Sequence, residues 1–359
     1  MDRTKAFEKA IADARGNFGE RSFLASEAPP VKVISTGIAT LDVATGVGGW
    51  PRGTLVEVYG RESVGKTAMA LHTIAEVHKA KGFACLINLE SNITQEGWLQ
   101  WATSIAPLGF DPERLQIINA EPGTEALAAF GKMIASGAFD VIVYDSLGAM
   151  STDKELQPGE AKQAYGQSAL VTQLVKQAAK FAYDQECVAL LLNQIRDATA
   201  GNYVIEKAPG GHAKDHFASL RVNLKPSYTG WTRSVDMGEG EKDYPGFRVV
   251  ARLQKNKVGA PKRRAGWNYW NVPSPEGIVG IDAFGAFVDV ALQKSAFKKA
   301  GNWYYHESFP DGKLNGGVAV TSFLRGRPDI VEEIRRDLVM QEFKTAGNVM
   351  EEREVLVDV

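Results

Sequence analysis

The sequence predicts an α/β fold in which helices pack on a mostly parallel central sheet. Short apolar runs alternate with helical patterns from residue 31 to residue 272, which is typical of repeated βαβ units. A glycine-rich segment joins the first clear strand to a helical pattern, as in a phosphate-binding loop. The clearest strands are predicted at 54–59, 83–89, 139–144 and 187–193.

The composition is that of a globular protein without a membrane anchor. The 359 residues are 44% hydrophobic and 23% charged, enough for a full core and one or two small domains. The chain begins without an apolar signal segment, and no apolar run reaches the length of a membrane span. Cys85 and Cys187 lie in apolar runs, as buried thiols do in a reducing compartment. We therefore expect a cytoplasmic protein. With a net charge of −2 the molecule as a whole does not attract nucleic acid, so any DNA binding would have to come from local basic clusters.

The segment GRESVGKT at 60–67 predicts a nucleotide site. Gly60 and Gly65 let the backbone turn its N–H groups inward, and the following helix presents its positive end to a phosphate. Lys66 is predicted to reach the β and γ phosphates, and the Thr67 hydroxyl to hold Mg²⁺. The pattern predicts binding of ATP or GTP, but it does not identify the reaction. The predicted nucleotide-binding residues are Gly60, Arg61, Glu62, Ser63, Val64, Gly65, Lys66, Thr67, Ala68 and Asp145.

Polar residues follow three further predicted strands, at the edge where ligands bind in open parallel sheets. Asp145 is placed to hold the Mg²⁺ of a bound nucleotide together with Thr67. Glu90 could polarise the water that attacks the γ-phosphate, and the amides of Asn193 and Gln194 could sense that phosphate. Each signal is weak alone, because solvated polar residues often end strands. Their convergence with the glycine-rich loop is much stronger.

The chain divides into four predicted regions. Residues 1–30 contain a short amphipathic helix followed by SFLAS, and they must pack on their own chain or on a neighbour because they are too few to form a core. Residues 31–272 form the core, and 273–340, punctuated by prolines, form a small C-terminal α/β domain. The acidic tail, 341–359, is expected to be mobile.

The glycine-rich loop and the strand-end motifs described above resemble, in their order and in their residue patterns, those of the RecA family of recombination ATPases. The resemblance extends from about residue 17 to residue 340. The C-terminal segments EGI, DVAL and KAGNWYYHE are also similar to the family. The resemblance implies a RecA-type P-loop ATPase core, an N-terminal helix and strand for polymerisation, and a small C-terminal domain. The similar core segments are STGIATLDVATGVGGWPRGTLVEVYGRESVGKT (35–67, Walker A), FDVIVYDSLGAM (139–150, Walker B), LLLNQIR (190–196, switch glutamine) and LQKNKVGAP (253–261, paired lysines).

The chain also departs from the family pattern. Arg61, Val64 and Ala68 stand where the family commonly has Pro, Ser and Thr. NLESNIT at 88–94 replaces DAEHALD, which keeps the glutamate and loses much of its surroundings. Such departures suit a phage-borne or otherwise divergent member better than a typical bacterial one.

The resemblance implies an ATP-dependent DNA recombinase with ATP and Mg²⁺ as cofactors. Such a protein forms helical filaments on single-stranded DNA and pairs that strand with a homologous duplex. The resemblance assigns Lys66 and Glu90 to hydrolysis and Gln194 to the switch. It places Lys255 and Lys257 against the γ-phosphate bound by the neighbouring subunit. Single-strand-binding or mediator proteins are further implied partners, and no membrane is implied.

Two long connections, 151–173 and 195–217, are the predicted DNA loops. In the first, Tyr165 falls where the family wedges a large side chain between bases, consistent with stacking on a single strand. The second is glycine-rich and too long for an ordinary βα connection, which indicates a loop ordered only by a ligand. A surface lid is the alternative. The predicted DNA-binding residues are Tyr165, Gly166, Gln167, Arg196, Gly210, Gly211 and His212.

Two other function classes stay open. A ring-forming RecA-fold helicase or motor would carry the same Walker motifs and strand-end amide. A small-molecule kinase would need an acceptor pocket and no long glycine loops. The N-terminal helix with SFLAS and the C-terminal domain favour the filament former.

Two local features also stay open. The adenine could stack on Trp98 or on Trp101. Between residues 248 and 264 there are seven basic residues and no acidic one. That run could be a solvated rim, a phosphate contact, or a nucleotide contact across a subunit boundary.

Overall fold

The structure is a computed structural model. It describes residues 3–18, 31–89, 94–107, 109–121, 123–150, 164–200, 203–207, 213–229, 235–236, 242–243, 245–294 and 296–345. Its strands are β1 (Val33–Ile34), β2 (Trp50–Pro51), β3 (Thr54–Gly60), β4 (Ala84–Asn88), β5 (Leu115–Asn119), β6 (Val141–Asp145), β7 (Val188–Gln194), β8 (Arg196–Ala200), β9 (Tyr203–Lys207), β10 (Leu220–Ser227), β11 (Val235–Asp236), β12 (Lys242–Asp243), β13 (Gly246–Asn256), β14 (Arg264–Trp270), β15 (Gly280–Ile281), β16 (Lys298–Ala300), β17 (Trp303–Tyr305) and β18 (Lys313–Asn315). Its helices are α1 (Arg3–Phe18), α2 (Ala39–Thr45), α3 (Lys66–Lys79), α4 (Gln95–Ile105), α5 (Thr124–Ala135), α6 (Ala164–Gln185), α7 (Ala213–Phe217), α8 (Ala283–Gln293), α9 (Gly316–Arg325) and α10 (Pro328–Thr345).

The central sheet has the strand order β15-β14-β13-β10-β3-β7-β6-β4-β5. The strands from β10 to β5 are parallel, whereas β13, β14 and β15 add on in antiparallel pairs. The predicted mostly parallel α/β fold is therefore confirmed. The four predicted strands are β3, β4, β6 and β7, with ends shifted by at most two residues.

Helices cover both faces of the parallel strands. One hydrophobic cluster packs under α3 and α4, and a second packs under α5 and α6. Residues 188–193 of β7 are all buried, which explains why the strands read as continuous apolar runs rather than alternating ones.

The C-terminal segment has its own small core around α8, the β16–β18 sheet, α9 and α10. Arg335 of α10 lies 2.8 Å from a carboxylate oxygen of Asp42 in α2, so a buried ion pair ties this segment to the sheet domain. The strand β15 lies inside the region predicted as the C-terminal domain, yet it pairs with β14. The central sheet therefore extends past residue 272.

The N-terminal helix is present as predicted, and none of its described side chains is buried. Phe7 is 66% exposed. The SFLAS stretch and the acidic end beyond residue 345 lie outside the described residues. Among the helices that the structure describes, none is long and apolar enough to cross a membrane.

The two predicted DNA loops contain more secondary structure than expected. The helix α6 begins at Ala164, so Tyr165 lies in a first helical turn, and 151–163 are outside the described part of the chain. The second connection contains the β8–β9 hairpin and α7, which differs from the prediction of a loop ordered only by a ligand. The two strands flank Gly201 and Asn202 in the sequence, a dipeptide typical of tight hairpins.

Candidate functional site

The glycine-rich loop connects the end of β3 to the start of α3. Gly65 has φ 88°, and a Cβ there would meet the ring of Tyr269 at 3.1 Å. A Cβ on Gly60 would lie 2.5 Å from the carbonyl oxygen of Leu224. Backbone conformation therefore favours glycine at position 65, and lack of space requires it at position 60.

Two departures from the family pattern have a packing explanation. Val64 is 1% exposed and Ala68 is 4% exposed, and both belong to the hydrophobic cluster under α3. Arg61, Glu62 and Ser63 are exposed at the outside of the loop. Apolar side chains at 64 and 68 thus fill the core and leave the loop backbone available to bind phosphate.

Lys66 lies inside the predicted phosphate-binding loop. Its Nζ donates to the carbonyl oxygens of Arg61, at 2.9 Å, and of Gly60, at 3.3 Å, and the residue is 7% exposed. The ammonium is therefore held at the loop, where phosphate oxygens could take over these hydrogen bonds.

The two predicted metal ligands contact each other. The Thr67 hydroxyl donates to Oδ2 of Asp145 over 2.7 Å, and Asp145 is 5% exposed at the end of β6. A hydroxyl and a carboxylate so close together provide the oxygen ligands that Mg²⁺ prefers. The residues present therefore fit a nucleotide-bound Mg²⁺.

The strand β7 brings the predicted switch amide to the loop. In the β3–β7 register Gln194 is paired with Gly60, and the next residue, Ile195, donates its N–H to the Gly60 carbonyl over 3.1 Å. Asn193 is fully buried. The strand ends of β3, β6 and β7 converge as predicted, but Glu90 lies outside the described residues.

The paired lysines lie on one face, as predicted for alternate residues of an extended segment. Lys255 Nζ donates to the backbone carbonyls of Asp215, at 2.5 Å, and His216, at 3.0 Å. Lys257 Nζ donates to the same His216 carbonyl over 3.3 Å. Burial, with Lys257 and Arg221 nearby, lowers the pKa of Lys255. Within the subunit, the two ammonium groups therefore cap the end of α7.

A charged cluster that the sequence pattern did not predict lies beside α7. Glu57 of β3 is fully buried, and its Oε2 accepts from Nε of Arg221 over 2.5 Å. Arg221 also lies 2.8 Å from Asp215 and 5.0 Å over the ring of Tyr59. Burial lowers the pKa of Arg221, but the negative charge of Glu57 raises it on balance. A glutamate within the apolar run TLVEVY was the signal that could have revealed this cluster.

The two candidate adenine contacts differ in exposure. Trp98 is 5% exposed in the core, whereas Trp101 is 40% exposed and meets it edge to face at 5.9 Å. Trp98 is thus occupied by packing, and Trp101 is the one with an exposed ring.

A row of aromatic rings also lies beside the loop. Phe247 stacks on Tyr269 with 5.2 Å between ring centroids, and Tyr228 lies 6.0 Å from Phe247. Tyr228 and Phe247 border a cavity of about 420 Å³ that reaches Ser63 and Asn271. A flat base could stack here, and the sequence pattern did not suggest it.

The predicted DNA contacts are less completely described. The backbones of Tyr165, Gly166 and Gln167 lie in the first turn of α6, and Arg196 begins β8 directly beyond the switch strand. Gly210, Gly211 and His212 lie outside the described residues, immediately before α7. No side-chain geometry is described for any of these seven residues.

Comparison with known proteins identifies the family. The family model for the RecA N-terminal domain matches residues 5–271. The chain is 32% identical over 344 residues to Protein RecA of Acidothermus cellulolyticus, covering 94% of this chain and 93% of that protein. It is 31% identical over 342 residues to Protein RecA of Corynebacterium efficiens, covering 94% and 83%. It is 32% identical over 340 residues to Protein RecA of Kineococcus radiotolerans, covering 93% and 91%. Because the family model and these relatives span the sheet and its nucleotide loop, the chain belongs to the RecA family.

Proposed function

We propose that the chain is an ATP-dependent DNA recombinase, which forms helical filaments on single-stranded DNA and catalyses homologous pairing and strand exchange. The observation that carries this proposal is the β3–β7 register. It sets Gln194 beside Gly60, and the chain runs from there directly into a segment predicted to bind DNA. The end of β7 thus lies between the nucleotide loop and the second predicted DNA loop, as nucleotide-controlled DNA binding requires. Family membership supports the same function.

In the proposed hydrolysis, residues of one subunit bind the nucleotide. Lys66 binds phosphate oxygens, while Thr67 and Asp145 hold Mg²⁺, which neutralises charge on the β and γ phosphates when bound. Glu90 accepts the proton of the attacking water, a contribution of about 10² to 10⁴ in rate. Each of these roles is local to the ends of β3, β4 and β6.

The paired lysines are proposed to complete the site of the neighbouring subunit. There, the ammonium groups of Lys255 and Lys257 would stabilise the charge that develops on the γ-phosphate. Within their own subunit they bind neutral carbonyl oxygens of α7, and phosphate oxygens of the neighbouring nucleotide offer a stronger, charged acceptor. Hydrolysis would then depend on assembly.

The DNA is proposed to lie along the two connections that follow β6 and β7. An aromatic ring such as that of Tyr165 stacks on a base whatever its identity, which suits a protein that must accept any sequence. Arg196 and backbone N–H groups of the glycine-rich part would bind phosphates. The proposed contacts are Tyr165, Gly166, Gln167, Arg196, Gly210, Gly211 and His212.

The outer regions are proposed to serve assembly. The helix α1 carries an exposed Phe7 and no buried side chain among those described, so residues 1–30 are suited to pack on a neighbouring subunit. The small C-terminal domain, predicted at 273–340, is proposed to begin after β15, which pairs with β14 in the central sheet, and 341–359 are proposed as the acidic tail.

Negative-stain microscopy and a strand-exchange assay test the proposal together. The protein is incubated with single-stranded DNA and a slowly hydrolysed ATP analogue. A labelled duplex of the same sequence is then added with ATP, and a duplex of unrelated sequence serves as the control. We expect helical filaments and transfer of the labelled strand from the homologous duplex alone.

Two results would contradict the proposal. Closed rings without strand transfer would favour a ring-forming helicase or motor, and unwinding of a forked duplex would then be measured. Tight nucleotide binding without any DNA-dependent assembly would instead favour a small-molecule enzyme.

A further inference from the structure

Glu57 is a charged residue in the centre of the sheet domain. It lies in β3, flanked by Val56 and Val58, which face one hydrophobic cluster and are fully buried. Its own side chain is fully buried as well. A buried carboxylate is costly unless other groups neutralise and hydrogen-bond it, so its partners carry information about its role.

One partner belongs to the strand end beside the nucleotide loop. The side-chain amide of Asn193 donates to Oε1 of Glu57 over 3.0 Å. Asn193 directly precedes Gln194, which pairs with Gly60 at the start of the loop. A movement of Gln194 therefore reaches Glu57 through one residue and one hydrogen bond.

The other partners lead to α7. Arg221 donates to Glu57 over 2.5 Å and lies 2.8 Å from Oδ1 of Asp215. Lys214 is 3% exposed, with its Nζ 3.8 Å from Glu57 and 3.3 Å from Asp215. Arg221 thus lies between the carboxylates of Glu57 and Asp215, and Lys214, a residue of α7 itself, contacts both, so the two cations hold the helix against the sheet.

The helix α7 has two functional neighbours. It follows directly on residues 208–212, the glycine-rich end of the second predicted DNA loop. Its last carbonyls accept hydrogen bonds from Lys255 and Lys257. A displacement of α7 would therefore change the position of the second predicted DNA loop and the contacts of the paired lysines together.

We propose that Glu57 is a positioning residue that connects the nucleotide-sensing strand end at Gln194 to α7. Glu57 does not touch the nucleotide. It transmits the position of β7 to Arg221 and Lys214, and so to the base of the second DNA loop. This inference rests on the nucleotide-sensing part of the proposed function, because Gln194 must respond to the γ-phosphate.

Hydrogen–deuterium exchange of the α7 amides tests the proposal without DNA. Exchange at residues 213–217 is measured with and without the slowly hydrolysed ATP analogue, in the wild-type chain and in Glu57→Gln. The substitution keeps the shape of the side chain and removes its charge. We expect the analogue to change wild-type exchange about tenfold, and Glu57→Gln to reduce that ratio to below about twofold. Affinity for the analogue should change by less than about threefold, because Glu57 makes no nucleotide contact.

Asp42→Asn is the matched control. Asp42 is also a buried carboxylate paired with an arginine, but it joins α2 to the C-terminal segment rather than β3 to α7. A residue that matters only for folding would give the same result at both positions. We expect Asp42→Asn to keep the full response of α7.

A second variant covers the case that Glu57→Gln fails to fold. Asp215→Asn changes a partly exposed side chain and weakens the contact of Arg221 with α7, while Lys214, a residue of α7 itself, keeps its contact with Glu57. The response is a ratio within each variant, so a change in the resting exchange rate of α7 does not affect it. We expect a loss in the same direction.

Three results would overturn the inference: an α7 response that survives in a folded Glu57→Gln protein or is undiminished in Asp215→Asn, an equal loss in Asp42→Asn, or no response in the wild type. The proposed function fails differently, through absent filaments or strand exchange in the wild type. A response that disappears in Glu57→Gln, in a protein that does not assemble on DNA, would support the inference and contradict the proposed function.

Discussion

Two buried carboxylates, Glu57 and Asp42, use the same chemistry for different purposes. Glu57 is 0% exposed and Asp42 is 1% exposed, and each accepts hydrogen bonds from an arginine far along the chain, Arg221 or Arg335. The Glu57 cluster lies between the nucleotide loop and α7. The Asp42 pair instead fastens the C-terminal segment to the sheet domain, with Glu76 of α3 3.6 Å from the same arginine. Burial of an ion pair therefore does not reveal its role, and the elements that it joins do.

The most complete loss of function is expected at the nucleotide end of the Glu57 cluster, because both nucleotide binding and DNA binding depend on it. Lys66→Ala should weaken ATP binding by about a hundredfold or more and abolish nucleotide-stimulated DNA binding, because this ammonium lies inside the phosphate loop. Titration with a fluorescent ATP analogue measures the first effect, and fluorescence anisotropy of labelled single-stranded DNA the second. Lys79→Ala, on an exposed part of the same helix, should leave both unchanged. Wild-type DNA binding in Lys66→Ala would contradict the nucleotide-controlled mechanism.

The next prediction concerns Lys255 and Lys257, which contact α7 at the other end of the Glu57 cluster. Lys255→Ala with Lys257→Ala should leave nucleotide binding intact and lower DNA-dependent ATP hydrolysis by about 10³ or more. Mixing this double variant with Glu90→Gln subunits should restore part of the activity, because some interfaces would then combine intact lysines with an intact Glu90. Lys262→Ala, an exposed residue of the same basic run, is the control. Co-assembled mixtures that remain inactive would show that the lysines act within their own subunit.

Loss of the Asp42–Arg335 ion pair is expected to lower stability rather than activity. Asp42→Asn should lower the free energy of unfolding by about 3 kcal/mol, because the buried Asp42 loses its charge and the partly buried guanidinium of Arg335 loses its main countercharge. Urea unfolding followed by circular dichroism measures this loss. Arg327→Ala, which breaks the exposed Arg327–Asp329 pair, should leave the unfolding curve unchanged. Equal losses in the two variants would show that burial of the Asp42 pair contributes nothing.

A smaller, pH-dependent loss of stability is expected from His72, in the helix α3 that begins in the phosphate loop. Burial lowers the pKa of His72 to about 4, from an ordinary value of 6.5. Because the unfolded chain binds this proton more readily, stability from neutral His72 is complete above about pH 6.5. It falls towards pH 4, by at most about 3 kcal/mol. His72→Gln should flatten this part of the pH profile in urea unfolding, whereas His216→Gln, at an exposed site, should not. An unchanged slope in His72→Gln would assign the acid sensitivity to other groups.

Much of the site was predictable because its signals are local. The loop at 60–67 is a contiguous pattern, and the strand ends at Asp145 and Gln194 follow apolar runs whose parallel arrangement brings them to one edge. The Thr67 to Asp145 contact and the pairing of Gly60 with Gln194 follow from that arrangement. The family resemblance supplied the roles of the lysines and the DNA loops, which the described side chains do not test.

Other features were not predictable because they depend on neighbours that the pattern does not show. Trp98 and Trp101 are equivalent as aromatic residues after β4, but the core covers one and leaves the other exposed. The segment after Gln194 was predicted as a loop because it is rich in glycine, whereas its described part forms a hairpin and α7. Tertiary packing decided between the two tryptophans, whereas the hairpin had a local signal in the dipeptide of Gly201 and Asn202.

By itself, the sequence determined the α/β class, the positions of the main strands and the phosphate loop. These features depend on apolar runs, glycine positions and the order of a few residues, all of which act over short distances along the chain. Only the tertiary structure decided which charges neutralise each other. Glu57 finds Asn193 and Arg221 because β3 lies between β7 and β10 in the sheet, 136 and 164 residues away along the chain. A charge buried in a medium of low polarity must be paired with whatever the strand order brings beside it, and that order is not written in any local pattern.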